Sequence, residues 1–304
     1  MVSVKNIKKS YGKTIALNGL TFDVEKGELF GIIGPDGAGK TTLFRILTTL
    51  LLADEGSALV DGFDVVRDHK VIRQRVGYMP GRFSLYQDLT VEENLTFFAS
   101  VFGTTIHENY HLIEDIYKQI ESFKDRRAGK LSGGMKQKLA LCCALIHKPS
   151  VLFLEEPTTG VDPVSRKEFW QMLRRLQEQD ITILVSTPYM DEATLCDRIA
   201  LIREGEFLTI DTPYGIMGKF NRPLYAASSD NMSRLLSDLR QISDVDSCYA
   251  FGDVHHVVLT QDNRISALEN KLLENGHTGV DIHPITASVE DCFMELDCKR
   301  GAFE

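Results

Sequence analysis

The sequence predicts an α/β core with an inserted helical subdomain, followed by a small α+β domain. Three observations carry that expectation. Residues 29–33, 151–154 and 181–185 are short, continuously apolar runs rich in branched side chains, the pattern of strands buried on both faces of a parallel sheet. Between about residues 82 and 149 the character turns helical. After about Lys219 the predicted elements run β-α-β-β-α-β, the order of the split β-α-β ferredoxin-like motif. The 304 residues suit two domains, here 1–218 and 219–304, because a single core rarely grows past roughly 250–300 residues.

Near the start, residues 20–24 and the run from Leu29 onward are separated by Glu25-Lys26-Gly27, a turn signal that predicts a small antiparallel element joined to the main sheet. In the helical stretch, Thr90-Val91-Glu92-Glu93 reads as a capping box, in which Thr90 and Glu93 satisfy each other's orphan amides. Leu95, Phe98, Ala99 and Phe102 then recur at helical spacing. The runs 64–75 and 124–127 mix charges and are expected as exposed helix ends. In the last third, residues 223–228 read as strand, and Met232, Leu235, Leu236, Leu239 and Ile242 share one helical face. Residues 248–251 and 254–259 flank Gly252-Asp253, a pair suited to a tight hairpin turn. A helix over 265–273, a strand over 280–285 and a short helix over 289–296 complete the order.

Composition narrows the function classes. The chain is 43% hydrophobic and 25% charged, a soluble globular balance. Lys and Arg total 34 against 43 Asp and Glu, and the net charge of -9 argues against nucleic acid as the main ligand. No stretch approaches the ~20 apolar residues of a membrane helix, and Met1 to Lys5 lack the layout of a secretion signal. The expected location is cytoplasmic. The six cysteines contain no Cys-x-x-Cys and are expected as buried thiols. Adjacent His255 and His256 would point to opposite faces of a strand and share no metal. His107 and His111, four apart, are expected on a solvated helical face.

The strongest local signal is Gly34-Pro35-Asp36-Gly37-Ala38-Gly39-Lys40-Thr41-Thr42, between the 29–33 strand and an apolar-periodic helix containing Leu43, Ile46 and Leu47. Strand, Gly-rich loop and helix in that order form a phosphate cradle. The glycines let backbone amides turn toward phosphate oxygens, and the helix N-terminus adds positive potential. Lys40 would bridge β- and γ-phosphates, and the Thr41 hydroxyl would ligate Mg²⁺.

Leu131-Ser132-Gly133-Gly134-Met135-Lys136-Gln137 is a second signal. With it the chain resembles the ATP-binding subunits of ABC transporters, whose signature is Leu-Ser-Gly-Gly followed by a Gln-bearing helix. Val151-Leu152-Phe153-Leu154-Glu155-Glu156-Pro157-Thr158 is similar to the family's Walker B strand, with Thr159-Gly160-Val161-Asp162 in the place of its D-loop. The resemblance covers about residues 1–218. It implies an ABC-type P-loop ATPase core with its helical subdomain at about 82–149. It also implies stacked pairs of such domains, each ATP lying between one Walker A loop and the opposite Ser132-Gly133-Gly134. Tyr11 matches the aromatic that stacks on adenine, Glu156 the general base, and Glu155 the Walker B position that orders Mg²⁺. Asp36 replaces the usual Asn. The segment from Ala287 to Leu296 resembles the end of many bacterial drug and export ATPases, whose C-terminal domains are regulatory or dimerising.

Three positions depart from the pattern. Gly81 stands where the family has the Q-loop glutamine, and Pro188 where it has the switch histidine. Glycine has no side chain and proline lacks even its N–H, so neither supplies the missing donor. Glu155 replaces Asp, and octahedral Mg²⁺ tolerates a displaced carboxylate poorly. The signature, which serves the opposite site, is intact. The expected function is an ATP-binding subunit, weak at its own site, that couples ATP to export through separate transmembrane permease subunits. It would work with a second ABC ATPase chain, or with itself as a slow homodimer, peripheral on the inner face of the membrane. The alternatives are an ATP-gated regulatory subunit without useful turnover and a soluble ABC protein unrelated to transport.

Overall fold

Two long strands open the chain, β1 (Val2–Tyr11) and β2 (Thr14–Val24), ahead of the buried strand β3 (Leu29–Ile33) and helix α1 (Lys40–Leu47). The computed structural model describes residues 1–82, 84–261 and 264–301. After α1 come β4 (Glu55–Val60), β5 (Phe63–Asp64), α2 (His69–Arg75) and β6 (Val76–Met79). The helices α3 (Val91–Val101), α4 (Tyr110–Tyr117) and α5 (Gly133–Leu145) follow. Then β7 (Val151–Glu155), α6 (Pro163–Gln177), β8 (Thr182–Thr187), β9 (Arg198–Arg203) and β10 (Glu206–Asp211) complete the first of two units, Met1–Pro213 and Tyr214–Glu304.

The main sheet of this unit has the order β10-β9-β3-β8-β7-β6, parallel except for β10 at its edge. Every residue of β3, β7 and β8 is buried, as continuous apolar runs require when helices or a second sheet cover both faces. The second sheet, β2-β1-β4-β5, is antiparallel throughout. This sheet is the antiparallel element expected near the start, and the turn at Glu25-Lys26-Gly27 leads from it into the main sheet without β2 and β3 pairing. β2 alternates buried and exposed residues and stays in a sheet with one wet face, whereas β3 is apolar on both faces and enters the core. One cluster joins the layers, with Phe22 stacked on Phe30 at 5.6 Å and Phe44 edge-on to Phe153 at 5.7 Å.

The capping box forms at α3: the Glu93 N–H donates to Thr90 Oγ1 at 3.1 Å and the Thr90 N–H to Glu93 Oε2 at 2.7 Å. One turn on, the fully buried Asn94 side chain donates to the carbonyls of Tyr86, Leu89 and Thr90 and accepts from the Tyr86 N–H. The 124–127 run is exposed, as expected, at the end of a 3-10 turn over Glu121–Phe123, and the carbonyls of Lys124 and Arg126 accept from the first amides of α3. His107 lies in a turn before α4 and His111 inside it, so they share no helical face.

Helix α7 (Pro213–Gly218) begins on the last residue of the first unit, and the second unit goes on with β11 (Leu224–Ser228), α8 (Met232–Leu239), β12 (Val245–Phe251), β13 (Val254–Leu259), α9 (Ile265–Glu274), β14 (Asp281–Pro284) and α10 (Val289–Gly301). Its antiparallel sheet has the order β12-β13-β11-β14, the arrangement expected of the β-α-β-β-α-β motif. Leu235, Leu239 and Ile242 pack with Leu268 and Leu272 over Val257 and Leu259. His255 and His256 do point apart: His255 Nε2 meets the Met232 carbonyl at 2.7 Å, and His256 Nδ1 meets Asp291 Oδ1 at 2.7 Å. Five cysteines are buried and Cys298 is exposed, against expectation, because it sits near the end of α10. Among the described residues no helix is long and apolar enough to cross a membrane.

Candidate nucleotide site

At the end of β3 the chain turns sharply and must pass close to its neighbours. A Cβ on Gly34 would lie 2.1 Å from the Ile202 carbonyl oxygen, and one on Gly39 would lie 2.5 Å from that of Ala16. Gly39 also has φ +106 and Gly37 φ +81, in the left-handed region that glycine adopts without strain. Between them Ala38 is buried and its carbonyl accepts from the Gly205 N–H at 3.0 Å. The loop therefore curls back over the first residue of α1.

That residue, Lys40, is only 4% exposed. Its Nζ donates to the carbonyls of Gly34 at 2.8 Å and Pro35 at 2.9 Å, and lies 3.7 Å from Glu156 Oε1. Burial lowers its pKa, opposed by the charges of Glu156 and Asp36. Asp36 stands almost fully exposed at the loop crest, 3.9 Å from Lys40 Nζ. Thr41 and Thr42 follow in the first turn of α1.

Two carboxylates face this loop from β7. Glu155 is the last residue of the strand and is buried; burial raises its pKa, opposed first by the Tyr78 hydroxyl and then by the neighbouring Thr41 hydroxyl, Gly81 N–H and Arg45 charge. The Tyr78 bond to Glu155 Oε1 is 2.6 Å long. Glu156 adopts φ +44, which turns its side chain out of the strand toward Lys40 while its N–H donates to the Ser186 carbonyl at 2.8 Å. Gly81 lies against both: a Cβ there would be 3.7 Å from that of Glu155 and 3.8 Å from that of Glu156. Thr187, just before Pro188, accepts from the Gly34 N–H through its carbonyl at 3.2 Å. The structure thus brings the loop, both carboxylates and positions 81 and 188 to one end of the parallel sheet, the usual ligand-binding edge of such sheets.

Ser132, Gly133 and Gly134 form a separate group. Ser132 caps α5, and its Oγ accepts from the Met135 N–H at 3.4 Å. Cβ atoms on Gly133 and Gly134 would lie 3.0 Å from the Gly160 carbonyl and 2.8 Å from Ser165 Oγ. Asp162 caps α6 by accepting from the Ser165 N–H at 3.0 Å, which holds its carboxyl below the ordinary range. Tyr11 is half exposed at the end of β1, with Lys9 Nζ over its ring at 5.9 Å.

Sequence reasoning missed Tyr78 and the buried Glu192. Glu192 accepts from Thr158 at 2.7 Å, Thr187 at 2.5 Å and Arg166 at 2.9 Å, tying the loop after β7 to the end of β8 and to α6. Its only local signal was an acidic pair directly after residues 188–190.

A family model described as ABC transporter matches residues 17–159. Nod factor export ATP-binding protein I of Burkholderia lata is 39% identical over 219 residues, covering 71% of this chain and 72% of that protein. This chain belongs to the ABC transporter family. It is also 41% identical over 215 residues to the "Probable multidrug ABC transporter ATP-binding protein YbhF" of Escherichia coli K12, but spans only 37% of that protein's length. Among solved structures, the dimeric bacterial ABC transporter cassette MJ0796 matches with TM-score 0.63 and 26% identity over 70% of this chain and 98% of its own. The same cassette is known in a post-hydrolysis state bound to ADP and Pi, with equal similarity to this chain. The matched stretch, residues 17–159, spans the Gly34–Thr42 loop, the Ser132–Gly134 group and β7.

Proposed function

We propose that this chain is an ATP-binding subunit that couples ATP binding and hydrolysis to export through separate transmembrane permease subunits, as the catalytically impaired member of an ATPase pair. The observation that carries this reading is the composition of its own site. A glycine-bound phosphate loop and a buried lysine face Glu155 and Glu156, while positions 81 and 188 beside them offer no side-chain donor. Similarity to the multidrug protein YbhF and to the Nod factor export protein supports export, and the MJ0796 dimer supports a pair. The chain would act at the inner face of the membrane, with the C-terminal unit regulatory or dimerising.

ATP phosphates would meet the amides at the start of α1 and Lys40, which would exchange its bonds to the Gly34 and Pro35 carbonyls for phosphate oxygens. Tyr11 would stack on adenine. Thr41 and Glu155 form a hydroxyl-carboxylate set of hard oxygen donors that fits Mg²⁺. When bound, that ion neutralises phosphate charge. Glu156 would orient the attacking water and accept its proton. With no side chain at 81 and none able to donate at 188, two electrostatic contacts to the γ-phosphate and water are missing. Each such donor is worth about 10²–10³ in rate. Ser132, Gly133 and Gly134 would complete the partner's site.

The absence of donors at 81 and 188 favours a second reading as well, an ATP-gated regulatory subunit without useful turnover. Mg-ATP turnover by the purified chain across protein concentrations, beside Glu156→Gln, separates these readings from a working homodimer. Nucleotide binding with little turnover is the expected result. Turnover that rises more steeply than linearly with concentration and vanishes in Glu156→Gln would overturn the impaired-site reading.

A further inference from the structure

Glu155 carries one methylene more than aspartate, so its carboxylate has an extra rotatable bond and more positions open to it. In the structure that freedom is restrained from the neighbouring strand. β6 runs parallel to β7 with Tyr78 opposite Phe153 and Met79 opposite Leu154. From there the Tyr78 hydroxyl reaches past the end of β7 and donates to Glu155 Oε1 at 2.6 Å. Short bonds of this kind, from a hydroxyl to an ionised oxygen, are about twice as strong as neutral ones. Gly81, three residues on, lies beside Glu155 but has no side chain to offer it. A carboxylate has about four lone-pair sites, so accepting from Tyr78 leaves capacity for Thr41 and for an ion. The Tyr78 ring itself lines a cavity of about 260 Å³ with Met79, Pro80, Phe98 and Phe102.

We propose that Tyr78 is a positioning residue for Glu155, its hydroxyl holding the longer carboxylate beside Thr41 where Mg²⁺ is ordered. The strand supplies from residue 78 a restraint that no side chain can supply from residue 81. The inference rests on the nucleotide-site reading above and concerns how that site keeps its metal-ordering carboxylate in place.

A double-mutant cycle on the full-length chain tests it. Binding of a fluorescent ATP analogue is measured against Mg²⁺ concentration, and in EDTA, for wild type, Tyr78→Phe, Glu155→Asp and the double variant. Phenylalanine keeps the ring in the cavity and removes only the hydroxyl. In the Glu155 background the half-saturating Mg²⁺ concentration should rise about tenfold, with affinity in EDTA unchanged. In the Glu155→Asp background, where the shorter carboxylate no longer reaches Tyr78, the same change should move it less than about twofold. An equal shift in both backgrounds, no shift in either, or a matching loss of affinity in EDTA would overturn the proposal while leaving the nucleotide-site reading intact. A wild-type chain that binds no nucleotide at any Mg²⁺ concentration would overturn that reading, and the role of Tyr78 with it.

Discussion

At Gly34 a single backbone carbonyl decides which residue the chain can carry. With the Ile202 oxygen 2.1 Å from the site of a Cβ, relief requires moving backbone on β9, not rotating a side chain. Gly34→Ala should cost about 3 kcal/mol or more, read from a urea melt followed by the fluorescence of Trp170, the single tryptophan of the chain. Gly81 is the opposite case. Its nearest neighbours to an added Cβ lie at 3.5–3.8 Å, ordinary contact, and its φ lies outside the left-handed region. Gly81→Gln should therefore fold normally. Combined with Pro188→His, it should raise turnover at this chain's own site by about tenfold or more. Turnover unchanged in a folded double variant would count against the account of positions 81 and 188.

Helix α3 separates what local and non-local bonds contribute within one element. Thr90→Ala removes a cap whose partner is three residues away, and should cost about 1 kcal/mol. Asn94→Ala strands the Tyr86 N–H and removes the side-chain donor shared by the Tyr86, Leu89 and Thr90 carbonyls, each of which keeps a backbone amide, so about 2–3 kcal/mol is expected. Chemical denaturation of both variants checks the order; a larger loss at Thr90 than at Asn94 would contradict it. The cap was legible because Thr90 and Glu93 are near neighbours in sequence. Asn94 was not, since a polar residue on a helix declares its burial only when the loop it bonds is folded over it. The turn at Glu25–Gly27 was legible only in part for a related reason: a turn signal states that the chain bends, not which strand the next one pairs with.

Across the first unit, Asp197 joins elements far apart in the chain. It accepts from the Leu29 N–H at 2.9 Å, from Arg174 at 2.6 Å and from Gln177, linking β3 to α6 just before β9. Burial alone would raise its carboxyl, but these donors, the Arg174 guanidinium foremost, hold it below the ordinary carboxylate range. A pKa depressed on folding adds stability that is complete above the unfolded value of about 3.9 and drains away as pH falls through the lower folded value. Since the pair is partly exposed, Asp197→Asn should cost only about 1 kcal/mol at pH 7. That difference should shrink below about pH 4 in paired melts, and a gap that widens on acidification would refute the linkage.

By itself the sequence determined what depends on neighbours along the chain: the apolar runs of β3, β7 and β8, the Gly34–Thr42 loop between strand and helix, the cap at Thr90, and the alternation of elements in the last third. These are short-range features, written in spacing and in backbone freedom. The tertiary structure alone decided that β2 leaves β3 for another sheet, that Glu192 gathers Thr158, Thr187 and Arg166, and that Tyr78 holds Glu155 across 77 positions of chain. Such pairings depend on which surfaces are buried together, and burial is a property of the whole packed molecule that no single segment encodes.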